Sequence, residues 1–565
     1  MKHVEIDLKD RRLDLFYPNS KKRDELKKRR AQISELPQDY IANLEIEKFA
    51  DSICKLYHSK IMNIFTELCC DVEVINYRLD ILEDFLNIPT LAPAVKKIIN
   101  IMIENDRKNI YQFTDVDSFM KLDQAITAFD AYIECIEIMH TFKEKYGDKV
   151  KSEGVKDMLS FFEESYESNN FNKLKKEIEE LKDAIHNRIK SVTVAINLDD
   201  RLVPISAGIV NYSDTPYVLK KSLFDRIVSL GISSNNKNLI MTMKSKYKQN
   251  NMDDEKIINT ADKALFESLA FLSDGYIAVI NDVLKQYQKI DFEDMNFLSY
   301  QLEFYLGAIN LMNMAKAEGL EMSRPKILPM GQRKADIKGL FDVIYLNECR
   351  SFNLRNKDNK KEIIANDISF DDNARFYILT GANNGGKTTF VRAMGLCQVM
   401  AQAGLYVPAS YCEISLCDFI YSHFPKEEQI GIDTSRFTTE VKEFKTISDT
   451  ITQNSLLLMN ESIQSTTPNE CVDIASEIVN IFCIIGVRGI FATHLLDLAE
   501  NVDKINSTEN ISSKAQSIVA TIDEQSGKRM YKIKPGMPMR TSYAVSILRE
   551  FGIDTNEVRK RLEKN

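Results

Sequence analysis

Several features are scarce in this 565-residue sequence, and each scarcity excludes a class of protein. Tryptophan is absent, and the ten cysteines do not have the spacing of a disulfide framework. Cys412 and Cys417 have a loose zinc-ligand spacing, but no second Cys or His pair follows them. We therefore expect reduced, mostly structural thiols in a cytoplasmic protein.

Long apolar runs are also missing. The run at residues 481–487 is far too short to cross a bilayer. The charged start, MKHVEIDLKDRR, does not have the apolar core of a signal peptide. The sequence therefore predicts a protein with no membrane partner.

A basic net charge is missing as well, since the formal net charge is −9. Contact with nucleic acid would therefore depend on local clusters of Lys and Arg. Two such clusters occur, at residues 9–30 and 237–248, and each has the alternative of being a solvated helix face. The candidate DNA contacts lie in the second cluster and are Lys237, Lys244, Lys246 and Lys248.

The amino-terminal half of the sequence has a strong helical periodicity. Apolar residues recur there at helical spacing, and Gly and Pro are few. Leu174, Ile178, Leu181 and Ile185 form a stripe that predicts a helix packed on one side, in an arm or an antiparallel coil. Another long helix is predicted at residues 291–319, and the alternating residues 192–209 predict a short hairpin or turn region.

The pattern changes near Pro325, after which strands and helices alternate. A strand is predicted at residues 376–379, then a glycine-rich loop, then a helix at 389–402. Further strands at 455–459 and 489–492 end in polar residues, and an open parallel sheet binds its ligand at such carboxyl ends. The predicted fold is multidomain, with an all-α region followed by an α/β P-loop domain.

The glycine-rich loop, GANNGGKTT, matches the Walker A pattern of ATP-binding proteins. Glycines let backbone N–H groups converge on a phosphate, Lys387 reaches the β/γ-phosphates and the Thr388 hydroxyl binds Mg²⁺. A glycine turn with a chance lysine is the alternative, but the flanking strand and helix favour nucleotide binding. The predicted ATP-binding residues of the loop are Gly381, Asn383, Asn384, Gly385, Gly386, Lys387, Thr388 and Thr389.

Polar residues after two later strands are candidates for catalysis. Glu461 is placed to orient or deprotonate an attacking water, and His494 is placed as a γ-phosphate sensor, although either could be structural. Asn460 stands where P-loop ATPases usually have an aspartate, and its neutral amide leaves the hydrolysis rate open. The predicted Mg²⁺ ligands are Thr388, Asn460 and Glu461.

These segments resemble the MutS family of DNA mismatch repair and related ATPases. The resemblance is carried, in chain order, by IIANDISF, ILTGANNGGKTTFVRAMGLCQVMAQAGLYVPA, SRFTTEVKEFKTI, SLLLMNESIQSTTPNE, ATHLLDLAE and YKIKPGMPMRTSYAVSILREFGI. The blocks match the family in order and spacing from about residue 327 onwards. A weaker resemblance upstream is carried by YRLDILEDFLNIPTLAPAVKKI, INLDDRLVPISAGI and EFYLGAINLMNMAKAEGLEMSRPKI.

The resemblance implies a domain order. Residues 1–60 would form a basic leader, and residues 61–325 a helical core and lever with a clamp insertion near 198–263. Residues 326–565 would form an ABC-type ATPase domain with a short carboxyl-terminal dimerisation helix. We expect a truncated relative without the mismatch-reading and connector domains. Phe65-Thr66-Glu67 has the pattern of the family's Phe-x-Glu wedge, which we attribute to chance because the stretch is helical.

The resemblance also implies a homodimer in which Ser435 of the signature segment reaches the γ-phosphate in the opposite site. Ile363 takes a place where relatives often have an aromatic residue over the adenine. The segment from Ser462 onwards departs from the usual G-x-G-T loop.

Two functional hypotheses remain open. One is a DNA clamp with ATP and Mg²⁺ as cofactors, which binds duplex or branched DNA and hydrolyses ATP. The other is a nucleotide-gated protein with slow hydrolysis that acts on ribosomes or protein partners. A coiled-coil chromosome ATPase is less favoured because an LSGG-type signature is missing from the sequence.

Overall fold

A computed structural model describes most of the chain. The described residues are 13–31, 37–110, 118–188, 191–198, 204–213, 292–356, 360–382, 384–424, 436–463, 467–523 and 529–538, with single residues 200, 215 and 559. Several predicted residues lie outside these ranges, namely Asn383, Ser435, Lys237, Lys244, Lys246, Lys248 and most of the expected clamp at 198–263.

The described residues belong to two compact units. The first is formed by Met1–Ile99, Thr141–Phe161 and Glu293–Asn565, and the second by Asn100–His140 and Phe162–Phe292. In chain order the amino-terminal helices are α1 (Ser20–Ala31), α2 (Asp39–Asn43), α3 (Ile46–Ile53), α4 (His58–Glu67), α5 (Val72–Asn87), α6 (Leu91–Ile110), α7 (Ser118–Tyr146), α8 (Glu153–Glu167) and α9 (Asn169–Arg188). A hairpin of β1 (Ser191–Leu198) and β2 (Pro204–Ser213) and the long helix α10 (Phe292–Ala317) follow.

The α/β part of the first unit follows α10. Its first elements are β3 (Lys326–Leu328), β4 (Ala335–Leu340), α11 (Val343–Arg355), β5 (Asn366–Phe370), β6 (Phe376–Thr380), α12 (Lys387–Ala403), β7 (Tyr411–Ser415), β8 (Ile420–His423) and α13 (Arg436–Thr450). They are followed by β9 (Leu456–Asn460), α14 (Pro468–Ile485), β10 (Arg488–Ala492), α15 (Leu496–Glu500), α16 (Val502–Asn506), β11 (Ala515–Ile522) and β12 (Arg529–Pro535). The fold is thus a helical region followed by a mixed α/β region, as the sequence predicts.

The second unit contains the predicted amphipathic helix. In α9, Leu174 and Ile178 are fully buried while the intervening residues are charged. Ion pairs join Lys175 to Glu137 and Lys182 to Asp130. Because the partner number falls as the α9 number rises, α9 runs antiparallel to α7, which is one of the two arrangements predicted. The predicted hairpin is also confirmed, with Ile196 of β1 opposite Ala207 of β2.

In the first unit, the segment that precedes α5 is part of the core. Leu15 and Phe16 are buried, and the Leu15 amide donates to Gln301 of α10 at 2.8 Å. Phe65 is wholly buried in α4 and packs against Phe49, with ring centroids 4.7 Å apart. A wholly buried ring has no free face for a DNA base, so the structure agrees with the interpretation of this Phe-x-Glu pattern as chance.

A six-stranded sheet is the frame of the α/β region. Its strand order is β12-β11-β6-β10-β9-β8, and β6, β8, β9, β10 and β11 run parallel. The strands predicted at 376–379, 455–459 and 489–492 are confirmed as β6, β9 and β10, with bounds shifted by one residue at most. The register pairs Ala492 with Leu379 on one side and with Asn460 on the other, so these three strands end at one edge.

Helix α12 lies at the centre of this region and is buried along nearly its whole length. It packs against β9 and against the amino-terminal helices α4 and α5. Because α12 is enclosed on nearly all sides, its first turn is held in place. That turn directly follows the glycine-rich loop, so the loop is anchored at this end. A second sheet, of order β3-β7-β4-β5, lies in the same unit.

Two expectations from residue scarcity can be compared with the structure. All ten cysteines carry free thiols, as predicted. None of the helices in the described ranges combines the length and apolar character needed to cross a membrane.

Candidate functional site

The turn between β6 and α12 depends on glycine. Gly386 has a φ of 88° and Gly381 a φ of 139°, both in the region that favours glycine. A Cβ added to Gly381 would lie 2.8 Å from the Cβ of Ala520 on β11. Only glycine therefore fits at position 381, and the turn leads directly into the amino-terminal end of α12, where a helix favours anions.

Lys387, the first residue of α12, folds back over this turn. Its Nζ donates to the carbonyl oxygens of Gly381 at 2.9 Å and Ala382 at 3.2 Å. Burial lowers the pKa of Lys387, and the negative charge of Glu461 opposes that shift. Neutral carbonyls offset only part of the free-energy cost of burying an ammonium. An anionic group brought to the turn would therefore interact strongly with the Lys387 ammonium.

A hydroxyl and an amide meet beside the turn. Thr388 Oγ1 donates to Asn460 Oδ1 at 3.1 Å, and Asn460 is the buried last residue of β9. Both groups present oxygen atoms, the ligand type that Mg²⁺ prefers, so this pair fits a magnesium site. Among the described residues, no group of three or more His, Cys, Asp and Glu could hold a metal ion. Such a site would therefore rely on the hydroxyl, the amide, Glu461 and the ligand's own oxygens.

Glu461 and His494 form a pair at the same edge of the sheet. Their Oε1 and Nε2 atoms are 2.7 Å apart, and each side chain is about one-third exposed, at 31% and 34%. The Glu461 amide donates to the carbonyl of Ala492 at 2.7 Å, so β10 holds the backbone that follows β9. The structure thus brings together two of the three residues predicted for catalysis, while the third, Ser435, lies outside the described residues.

An open cavity of about 880 Å³ lies in front of the turn. This volume is within the range of small-molecule sites, which is about 300–1,000 Å³. Its wall includes the predicted residues Asn384, Gly385, Gly386, Lys387, Thr388, Thr389, Glu461 and Ile363. Three further predicted residues do not line the cavity but hydrogen-bond to residues that do. These pairs are Gly381 with Lys387, Asn460 with Thr388 and His494 with Glu461.

Tyr531 is a cavity residue that sequence reasoning missed. Its side chain lies 3.5 Å from the place of a Cβ on Gly386, and it remains 45% exposed with a φ of 54°. Asn366 holds this part of β12, since its side chain donates to the Tyr531 carbonyl at 3.1 Å and accepts from Ile533 at 2.8 Å. No local sequence pattern marks Tyr531, because its position depends on a left-handed backbone conformation and on the cross-strand hydrogen bonds of Asn366.

Asp342, on the cavity wall, and its partner Arg392 form a second feature that sequence reasoning missed. Asp342 caps α11 by accepting from the amides of Ile344 at 2.8 Å and Tyr345 at 3.2 Å. Arg392 of α12 donates to Asp342 at 2.6 Å and also to Glu45. Burial raises the pKa of Asp342, an effect that the Arg392 charge opposes. This network fixes α12 relative to α11 and has a structural role.

Family models match two parts of the chain. The family model described as MutS domain V matches residues 377–563, and the one described as MutS2 N-terminal domain matches residues 70–317. The chain belongs to the MutS family.

Individual relatives match over shorter stretches. The DNA mismatch repair protein MutS of Thermosipho melanesiensis is 30% identical over 203 residues, which is 36% of this chain and 24% of that protein. The proteins of the same name from Fervidobacterium nodosum and Prochlorococcus marinus are 35% and 37% identical over 151 and 166 residues, which is 26% and 29% of this chain. Each of these two matches spans 18% of the relative, so the chain covers a quarter or less of the length of these proteins.

Lys387→Met tests the turn as an anion site, because methionine keeps most of the apolar stem and removes the charge. We expect the affinity for a fluorescent ATP analogue with Mg²⁺ to fall by about tenfold or more, the usual effect of losing a charged hydrogen-bond donor. Lys445→Met is the matched control, since Lys445 is 69% exposed on α13 and pairs with Asp449. Equal affinities in the two variants would contradict this assignment.

Proposed function

We propose that this chain is an ATP-binding and ATP-hydrolysing P-loop protein whose nucleotide state controls DNA binding. The observation that carries the proposal is the convergence of the glycine turn, the Thr388–Asn460 pair and the Glu461–His494 pair on one edge of the sheet. Membership of a family of ATPases supports it. The predicted ATP-binding residues are the proposed ligands.

The phosphates would occupy the glycine turn. Backbone N–H groups at the start of α12 and the Lys387 ammonium would hold the β- and γ-phosphate oxygens. Lys387 would exchange its two neutral carbonyl partners for anionic ones, which supplies part of the binding free energy. Ile363 and Tyr531, on the cavity wall, are proposed to contact the base.

Hydrolysis would be carried by Glu461. The carboxylate lies on the cavity wall, where it can orient and deprotonate a water that attacks the γ-phosphate. His494 holds Glu461 in place from behind and is proposed to sense the γ-phosphate. Thr388 and Asn460 would hold Mg²⁺, which, when bound, neutralises charge on the phosphate oxygens.

The homodimer is part of the proposal on the strength of the family. Ser435 directly precedes α13 in the sequence and is proposed to reach the γ-phosphate in the partner's site. DNA binding is proposed because the relatives are DNA mismatch repair proteins. Lys237, Lys244, Lys246 and Lys248 are the proposed phosphate contacts, within a clamp at residues 198–263 of a helical core and lever at 61–325.

A second candidate function rests on Asn460. A neutral amide in place of a carboxylate binds Mg²⁺ less strongly, and here its oxygen already accepts the Thr388 hydroxyl. Slow hydrolysis would suit a nucleotide-gated protein that acts on ribosomes or protein partners. The two functions differ in turnover and in response to DNA, and the next two experiments separate them.

Glu461→Gln separates hydrolysis from binding, because glutamine keeps the size of the side chain and cannot accept a proton. We expect turnover to fall by about a hundredfold or more, with ATP affinity little changed. The measurement is steady-state phosphate release beside equilibrium binding of a fluorescent ATP analogue. Asn460→Asp is the companion variant and is expected to raise turnover by restoring the carboxylate. A Glu461→Gln variant as fast as the parent would favour the nucleotide-gated function.

DNA binding is tested by fluorescence anisotropy with matched duplex, mismatched duplex, a four-way junction and structured RNA, each with and without ATP and Mg²⁺. We expect duplex or junction binding that responds to ATP and weakens steeply as salt is raised, because phosphate contacts release counterions. Matched and mismatched duplexes should bind alike, since phosphate contacts carry little sequence information. No DNA binding at low salt in any nucleotide state would refute the DNA-binding part of the proposal.

A further inference from the structure

A buried histidine outside the cavity joins two parts of the proposed ATPase. His423 is the last residue of β8 and is 6% exposed. Its Nδ1 lies 2.7 Å from Ser462 Oγ, and its Nε2 lies 2.9 Å from Glu443 Oε2. Ser462 directly follows Glu461, and Glu443 lies on α13. The imidazole therefore bridges α13 and the segment that carries the proposed catalytic carboxylate.

The hydrogen bonds of the bridge are satisfied in either charge state of the ring. With a neutral ring, Nε2–H donates to Glu443 and the Ser462 hydroxyl donates to Nδ1. With a charged ring, Nδ1–H donates to Ser462 Oγ, and the Ser462 hydroxyl donates to the backbone carbonyl of His423 at 3.1 Å. His423 can therefore keep its hydrogen bonds to both Ser462 and Glu443 with either form of the ring.

The segment held by this bridge has a strained backbone. Glu461 has a φ of 49° and Ile463 a φ of 63°, values that L-residues other than Asn and Asp rarely adopt. Ile463 is anchored by burial in the hydrophobic core, at 1% exposure. Ser462 lies between these two residues and is itself 1% exposed. Strained residues persist where the surroundings hold them, and the His423 bond is one such restraint.

We propose that His423 is a positioning residue that couples α13 to Glu461, so that a shift of α13 changes the placement of the carboxylate. This inference rests on the proposed function. Among the described residues of the cavity wall there is no His423, Ser462 or Glu443, so the bridge acts without touching the nucleotide. Ser435 directly precedes α13 and is proposed to contact the γ-phosphate in the partner's site. The bridge would let that contact shift α13 and so change the rate of hydrolysis at Glu461 of the same chain.

The test uses the full chain and compares loss of the His423–Ser462 hydrogen bond with loss of the His423–Glu443 hydrogen bond. His423→Ala removes both hydrogen bonds and the ring contact with Phe444 of α13, whose centroid is 4.5 Å from that of the imidazole, while His423→Asn keeps an amide near the place of Nδ1 and His423→Gln keeps one near the place of Nε2. Glu443→Gln retains a neutral acceptor and is the conservative variant, with Glu443→Ala as its disruptive counterpart. His58→Gln is the matched control, since His58 also contacts a carboxylate, Asp51 at 2.7 Å, but on the surface. Thermal melting of every variant establishes that it is folded.

Two readouts are taken. For His423→Ala and Glu443→Ala, we expect kcat for ATP hydrolysis to fall by about tenfold or more while KM and the affinity for a non-hydrolysed ATP analogue stay near the parental values, because displaced catalytic groups slow the reaction. Glu443→Gln and His58→Gln should stay close to the parent. In hydrogen exchange, the analogue should alter protection of the α13 amides in the parent and leave them unaltered in His423→Ala.

The outcomes distinguish this inference from the function on which it rests. A parent that binds no ATP overturns the proposed function and this inference with it. A parent that binds and hydrolyses ATP, beside a folded His423→Ala variant with parental kcat and a parental α13 response, overturns this inference alone. Loss of kcat together with weakened binding or general loss of exchange protection also overturns it, since that pattern is the result of a purely structural histidine.

Discussion

Parallel hydrogen bonding among β6, β10 and β9 is the interaction on which the rest of the site depends. The Thr493 amide donates to the Leu379 carbonyl at 2.9 Å, and the Glu461 amide donates to the Ala492 carbonyl at 2.7 Å. These two bonds continue the ladders past the last strand residues. They bring chain segments that are far apart in sequence to one edge, where the glycine turn, Glu461 and His494 meet.

Burial sets the electrostatics of that edge. Lys387 is nearly inaccessible, and the lowered pKa of its ammonium reflects the loss of hydration. Its bonds to two carbonyls and the charge of Glu461 compensate this loss only in part. A polyphosphate is the type of ligand that offsets the rest of this loss, because it brings several negative oxygens to the ammonium and to the backbone N–H groups of the turn. The enclosed helix α12 keeps the ammonium and the turn in this arrangement.

Sequence patterns were sufficient for the parts of the fold that have strong local signals. The strands β6, β9 and β10, the helix α12 and the amphipathic character of α9 follow from apolar periodicity and from the glycine loop, whereas the antiparallel packing of α9 was one of two arrangements left open. The sequence also placed Asn460 and Glu461 after one strand and His494 after another, but the hydrogen bonds that join Thr388 to Asn460 and Glu461 to His494 are seen only in the structure. The predicted domain bounds and the roles of Ser435 and the four lysines stay predictions.

Tertiary contacts were beyond the reach of the sequence. Tyr531 reaches the cavity through an unusual backbone angle, and Asn366 holds it across strands, so no local pattern marks either residue. His423 has no distinguishing local pattern in the sequence, because its two hydrogen-bond partners are 20 and 39 residues away. Leu15 and Phe16 carry no periodic signal, although they pack against α10.

The central claim is that the cavity between the glycine turn and Tyr531 binds ATP, and a single reporter tests it directly. Because the chain has no tryptophan, Tyr531→Trp introduces one fluorophore at the cavity wall. Titration with ATP and Mg²⁺ should change its emission saturably and with one class of site, while potassium chloride at matched ionic strength should leave it unchanged. An emission that stays flat through millimolar ATP, in a folded variant, would contradict the account.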